Sequence, residues 1–140
     1  MSLAKLQNTT IMSSELTHAR LKHLAIKFGV TEDIVSRLAL GVSIREGPVS
    51  SDWKPNGIEN ETLHEVTSGK SLRGKTLFKG ELPLWMMLLS KAEGRIDSIE
   101  DVRSKFVLHW ERGIELVAMI DNGEDWIHLI ATICYPKKSL

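Results

Sequence analysis

Apolar residues recur at helical spacing over much of the chain, and the runs break at residues that stop helices. Leu21, Leu24, Ala25 and Phe28 stand at i, i+3, i+4 and i+7, one stripe of an amphipathic helix. Ser13 or Ser14 can cap that helix, Glu15 favours its first turn, and Gly29 ends it. Thr31 caps a second helix, with Glu32 and Asp33 in its first turn and Ile34, Val35, Leu38, Ala39 and Val42 as its expected buried stripe. Pro83 suits the first turn of a third, whose apolar face is Leu84, Trp85, Leu88 and Leu89 and whose stop is Gly94. Ser98 caps the longest, roughly Ile99 to Ile120, along which Ile99, Val102, Phe106, Trp110, Ile114 and Val117 follow at steps of three or four. Asn122-Gly123 signals a turn, and Glu124 to Cys134 forms a last helix using Trp126, Ile127, Ile130 and Ala131.

Two stretches lack this periodicity. Lys5 to Met12 alternates loosely and carries Thr9, Thr10 and Ile11, which favours a short strand. From Gly47 to Gly80, prolines, serines and glycines punctuate the chain, with at most one helical turn around Glu61 to Val66. The predicted fold class is mainly α. It is a compact helical domain with a ribbon-helix-helix-like N-terminal segment (short strand, two helices) and a long helix in its C-terminal half. One domain spans 1–140, divided into a ribbon-helix-helix-like part (1–45), an irregular connection (46–80) and a helical part (81–135). A connection that long is usually functional or mobile.

Composition narrows the class. Hydrophobic residues make up 42% of the chain, enough for a modest core, so disorder throughout is excluded. The single cysteine, Cys134, allows no internal disulfide; beside Ile130, Ile133 and Tyr135 it is expected as a buried structural thiol. No basic-then-apolar leader opens the chain, and the longest apolar run, Leu82 to Leu89, is too short to span a membrane. The expected compartment is the cytoplasm, with no membrane partner.

Lys plus Arg equals Asp plus Glu at 18 each, which argues against indiscriminate nucleic-acid binding. The charges are nevertheless segregated. Lys5, Arg20, Lys22 and Lys27 face only Glu15 in the first 28 residues. Glu46, Asp52, Glu59, Glu61 and Glu65 face only Lys54 in residues 46–69. Lys70, Arg73, Lys75 and Lys79 then fall within eleven residues without an acid. A short, glycine-punctuated basic segment can follow a phosphate backbone, because each contact releases condensed counterions; a solvated surface loop is the plainer reading of one such run.

No catalytic or metal-ligating spacing accompanies these charges. His18 and His23 are five apart, off a common helical face, and His64, His109 and His128 are scattered. Gly69-Lys70-Ser71 lacks the upstream glycine of a phosphate-binding loop. His109, with Lys105 at i−4 and Arg112 at i+3, is expected on a charged helix surface, or on a face where copies of the chain meet. Four tryptophans, with Trp85-Met86-Met87, exceed what a modest core hides, so part of this surface is expected between copies. No enzyme, cofactor or metal is predicted.

A strand, a capped helix, Gly-Val-Thr and a second helix follow the order of a ribbon-helix-helix unit, in which paired strands enter the major groove. Lys5, Gln7 and Thr9 would share one face, but the other face holds Leu6, Asn8, Thr10 and Met12, a poor match to a buried strand. Three blocks in order carry a further likeness: SSELTHARLKHLAIKFGVTEDIVSRLALGVSI (Ser13 to Ile44), GKTLFKGELPLWMMLL (Gly74 to Leu89) and HWERGIELV (His109 to Val117). Together they resemble the E-subunit family of the Dnd DNA-phosphorothioation (DNA sulfur modification) system.

That resemblance implies a helical, oligomeric, non-catalytic accessory subunit, a tetramer being the favoured state. Such a subunit contacts the backbone of double-stranded DNA, nicks among the targets, and works with other Dnd modification proteins. By motif match Arg20, Lys22 and Lys27 correspond to DNA-facing positions, whereas Lys5, Lys70, Arg73, Lys75 and Lys79 join them on charge alone. The acidic stretch Glu46 to Gly69 departs from the family pattern. A ribbon-helix-helix repressor or antitoxin, and a scaffold that does not itself touch DNA, are the competing readings; a base-reading strand would mark the first and absence of salt-sensitive binding the second.

Overall fold

The computed structural model describes residues 3–121 and 125–135, among which the order is α1 (Leu3–Gln7), β1 (Thr10–Met12), α2 (Glu15–Phe28), α3 (Glu32–Arg45), β2 (Ser71–Arg73), α4 (Gly74–Phe78), α5 (Leu82–Glu93), α6 (Ile99–Ile120) and α7 (Trp126–Cys134). The mainly helical class and the strand–helix–helix opening are as the periodicity predicts. The Asn122-Gly123 turn lies outside the described residues.

The long helix α6 is the centre of the core. Ser98 Oγ accepts from the Asp101 amide at 3.1 Å, and Glu100 and Asp101 face the positive end of the helix dipole. Val102, Phe106, Trp110, Ile114 and Val117 are all buried, the predicted stripe, with Ile99 packed at its edge. Burying an aliphatic or aromatic side chain of this kind contributes about 1.5–3 kcal/mol, so five in one row hold α6 firmly to what covers it. That cover is chiefly α3. The two helices meet at Gly113, where an added Cβ would lie 1.8 Å from the Ala39 carbonyl oxygen. Trp110, buried between them, donates its indole N–H to Ser36 Oγ at 3.0 Å, so its one polar atom is satisfied.

Helix α2 completes a three-helix core. Ser14 caps it, its hydroxyl accepting from the Thr17 amide, and Gly29 at φ 67° ends it. Leu21, Leu24 and Ala25 are buried as predicted. On α3 the buried apolar set is Val35, Ala39, Leu40, Val42 and Ile44, with Leu38 packed at its edge; Ile34, expected inside, lies off that face and is 38% exposed, although Val35 beside it is fully buried. On α5 the spacing 82–89 turns Leu82 and Leu89 inward, leaving Leu84 and Met87 exposed and Trp85, Met86 and Leu88 half-buried. On α7 the buried pair is Leu129 and Ile133, with Trp126 against Phe28, while Ile127 is 77% exposed. The inward face of α7 is thus rotated by about one residue from the predicted one. Cys134 falls on the outer side and is exposed, contrary to the expected buried thiol.

The N-terminal strand is shorter than the sequence suggested. Lys5 to Gln7 belong to α1, where Leu6 is buried, and only Thr10 to Met12 are extended. The reason is the partner: β2 offers three residues, pairing antiparallel as Thr10 with Arg73, Ile11 with Leu72 and Met12 with Ser71. Ile11 and Leu72 point inward together. The ladder is extended by Ser13 N–H to the Lys70 carbonyl and Gly74 N–H to the Thr9 carbonyl, each at 2.9 Å. A Cβ at Gly69 would stand 1.7 Å from the Ser13 carbonyl oxygen and one at Gly74 2.4 Å from that of Leu6, so glycine is what allows the two segments to close. The predicted irregular connection therefore ends at Gly69. Residues 70–80 are a strand and a short helix, and no helical turn forms at Glu61 to Val66.

Candidate nucleic-acid interface

The β1–β2 pairing brings basic residues that are distant in sequence to one place. Thr10 is the register partner of Arg73, and the Arg103 guanidinium of α6 donates to the Thr10 carbonyl at 3.0 Å. Gly74 abuts Leu6 and Gln7, which brings α1, carrying Lys5, against the start of α4, carrying Lys75. Lys5, Arg73 and Lys75 are exposed, and none has an ion-pair partner among the described residues; Arg103, beside them, only approaches Glu100 at 4.0 Å. A surface of like charges without countercharge suits a polyanion, whose phosphates supply it.

The other predicted cations are disposed differently. Lys70 is half-buried and pairs with Glu32 at 3.2 Å, and Lys79 reaches Asp33 at 3.9 Å. Asp33 is held below the usual carboxylate range by the Thr31 hydroxyl and by Arg37, against some opposing burial. On α2, Lys22 is half-buried with no ion-pair partner among the described residues, and exposed Lys27 meets Asp121 at 2.5 Å.

Arg20 is the one predicted contact that the fold places inside, 1% exposed. Its Nε donates to Glu61 Oε2 at 2.8 Å and its Nη2 to Glu61 Oε1 at 3.2 Å, a two-pronged grip; Nη1 donates to Glu115 at 3.0 Å, and Nη2 also to the Asn56 carbonyl. A buried guanidinium needs such partners, because leaving its charge unpaired costs several kcal/mol. As the chain is folded here, Arg20 belongs to a buried ion-pair cluster and not to the exposed basic group.

A second polar cluster replaces the charged surface expected around His109. The ring is fully buried, its Nδ1 2.8 Å from Ser43 Oγ and its Nε2 2.7 Å from Glu93 Oε2. Arg112 donates from Nε to Ser43 Oγ at 2.8 Å, so the Ser43 hydroxyl is left to donate to Nδ1, and Nε2 carries the proton given to Glu93. Burial holds the His109 pKa below its usual value, outweighing the pull of Glu93. Burial pushes Glu93 up, but the Val49 amide, His109 and Lys105 outweigh it and leave its carboxyl below the ordinary range. Arg112 Nη2 also donates to the Ser43 and Gly47 carbonyls at 2.6 Å, and Lys105 donates to Val49. The cluster thereby ties the exit of α3 to α5 and α6. The spacing of Lys105, His109 and Arg112 placed them on one face; Glu93 and Ser43, on other helices, left no signal in the sequence. Among the described residues, no group of three His, Cys, Asp or Glu side chains could hold a metal ion, and no helix is long and apolar enough to cross a membrane.

A protein-family model described as DndE, DNA sulphur modification protein DndE, matches residues 10–123, most of the chain. No curated protein and no solved structure matches it. The matched span runs from β1 through the end of α6 and includes Arg73, Lys75 and the α2 cations.

Proposed function

The chain belongs to the DndE family of DNA sulphur modification proteins, and from that membership we propose that it serves the modification system as a non-catalytic subunit that grips the backbone of duplex DNA. The observation that carries this reading is the exposed group Lys5, Arg73 and Lys75, assembled by α1, β2 and α4 and lacking countercharge among the described residues. Phosphate contacts of this kind fix position without reading sequence. Lys22 and Lys27 on α2 offer a flanking contact. A ribbon-helix-helix repressor is less well supported, because β1 has three residues and one of its edges is already bonded to β2 of the same chain.

Exposed Leu84 and Met87 on α5 support association with further copies, a tetramer being the favoured assembly, or with other Dnd proteins. Repeating the basic group around an oligomer would multiply its phosphate contacts. The reading places the protein with DNA in the cytoplasm.

Binding to labelled duplex, intact and nicked, across a salt series tests it. Salt-sensitive binding indifferent to sequence is expected, with Arg73→Ala plus Lys75→Ala flattening the salt slope by about two units while leaving the fold unchanged. No binding by the wild-type protein at low salt overturns the reading, and a loss confined to one DNA sequence favours the repressor.

A further inference from the structure

The acidic segment that follows α3 lies across the basic face of α2. Between residues 50 and 68 there is no helix, no strand and no buried residue. What ties residues 53–68 to the helices, among the described residues, is polar and sparse. Arg20 holds Glu61 and the Asn56 carbonyl, the Asn56 amide donates to Glu115 at 2.7 Å, His18 Nδ1 meets the Ser68 carbonyl at 2.8 Å, and His64 stacks near His23. A segment with no fully buried residue, its Ile58, Leu63 and Val66 only half-buried, opens locally at lower cost than the core, the Arg20–Glu61 ion pair being the main bond to break.

The face beneath it carries cations that already meet anions, Arg20 bonded to Glu115 as well as to the segment and Lys27 to Asp121. Arg20, His23 and Lys27 stand at i, i+3 and i+7, one ridge of α2. Glu61 engages Arg20 through both carboxylate oxygens, at 2.8 and 3.2 Å, the fork geometry a guanidinium equally offers a phosphate. Glu59 and Glu65 flank it, exposed, with no ion-pair partner among the described residues.

We infer that residues 53–68 form an acidic strap occupying a phosphate-binding ridge of α2, with Glu61 standing where a backbone phosphate would sit, and that duplex DNA displaces it. The inference rests on the DNA-binding reading above and gives Arg20 a contact that the closed strap withholds. It makes binding a competition between two anions for one guanidinium.

Hydrogen–deuterium exchange of peptides covering residues 53–66, with and without unlabelled duplex, is the direct test. Displacement speeds exchange of the Asn56, Ile58 and Glu61 amides, which are hydrogen-bonded in the closed strap. Glu61→Gln, which weakens the strap and leaves Arg20 its Glu115 partner, is expected to bind duplex about fivefold tighter or more, with the salt slope steeper by about one unit. If wild-type protein binds DNA but these amides slow or do not change, the strap inference falls and the DNA reading stands. Equal affinity and slope for Glu61→Gln would also overturn the strap while leaving DNA binding intact. If neither protein binds, both fall. Should Glu61→Gln fail to fold, the exchange measurement on the wild-type protein decides alone.

Discussion

Gly113→Ala isolates the geometric demand that the α3–α6 crossing places on the sequence. The new Cβ would lie 1.8 Å from the Ala39 carbonyl oxygen and 2.4 Å from its carbon, both backbone atoms that cannot rotate away. Ordinary non-bonded contact begins near ~3.5 Å, so the helices must part by more than ~1 Å. A gap of even ~0.5–1 Å forfeits a quarter to a half of each dispersion contact along the crossing. Overpacking of this kind costs about 1–3 kcal/mol and sometimes more, and the backbone clash places this case at the upper end. Alanine regains about 1 kcal/mol of helix propensity, so a net loss of about 2 kcal/mol remains, a melting temperature lower by roughly 6–10 °C. Gly41→Ala on α3 is the control, because its Cβ meets only Trp85 at 3.9 Å. There propensity acts alone, and stability rises by up to about 1 kcal/mol. Urea unfolding followed by far-ultraviolet circular dichroism measures both variants, with the denaturant slope confirming a common unfolded state. A Gly113→Ala protein as stable as the wild type would refute the close crossing.

Two other perturbations separate the buried polar clusters from the surface. His109 has a folded pKa below its unfolded value, near ~6.5, so its contribution is complete above that value. Stability then erodes as pH falls and the unfolded chain alone takes the proton, at up to ~1.4 kcal/mol per pH unit. Glu93, also lowered, adds a loss of the same sign as pH falls through its folded value, and His109→Gln should abolish the earlier limb only; an unchanged profile between about pH 6.5 and 5 in that variant would contradict the assignment. Arg20→Ala leaves Glu61 and Glu115 facing one another without a cation and should cost about 3–5 kcal/mol, whereas exposed Lys75→Ala should stay within about 0.5 kcal/mol; equal effects in denaturant unfolding would show that Arg20 is not the buried partner.

The helical frame was legible where burial repeats with the helix period and nothing competes. The α6 stripe is the clearest case: every turn returns a large apolar residue to one line, although His109, Glu111 and Gly113, off that line, are buried as well. The α7 face was misjudged because Ile127 and Ile130, Leu129 and Ile133 are apolar on both sides, so periodicity does not choose between them. Lys5 was misplaced for a different reason. An alternating pattern predicts a strand only if a partner strand is long enough, and β2 stops at three residues because Gly74 begins α4. The basic segment 70–80 was found by charge, yet its neighbour Lys5 depends on a contact across some seventy residues that no local pattern encodes. Arg20, expected at a DNA-facing position by motif match, is buried in this fold, and only the distant Glu61 and Glu115 make that burial possible.

Zero net charge says little about partners because the charges are sorted by depth. Glu61, Glu93, Glu111 and Glu115 are occupied inside, by Arg20, by Lys105 and His109, by the Ser14 amide and by the Asn56 amide. Glu32 and Asp33 hold Lys70, Arg37 and Lys79 at the start of α3. Lys5, Arg73 and Lys75 are among the exposed cations left without such partners, and on the DNA-binding reading they set the field that a polyanion would meet. At physiological salt that field extends about 8 Å, so exposed acids elsewhere on the molecule do not cancel it. On the strap inference, Glu61 is the acid that competes with a phosphate for Arg20, with Glu59 and Glu65 exposed in the same segment. On that inference, a duplex would exchange its phosphates for carboxylates that travel with the protein.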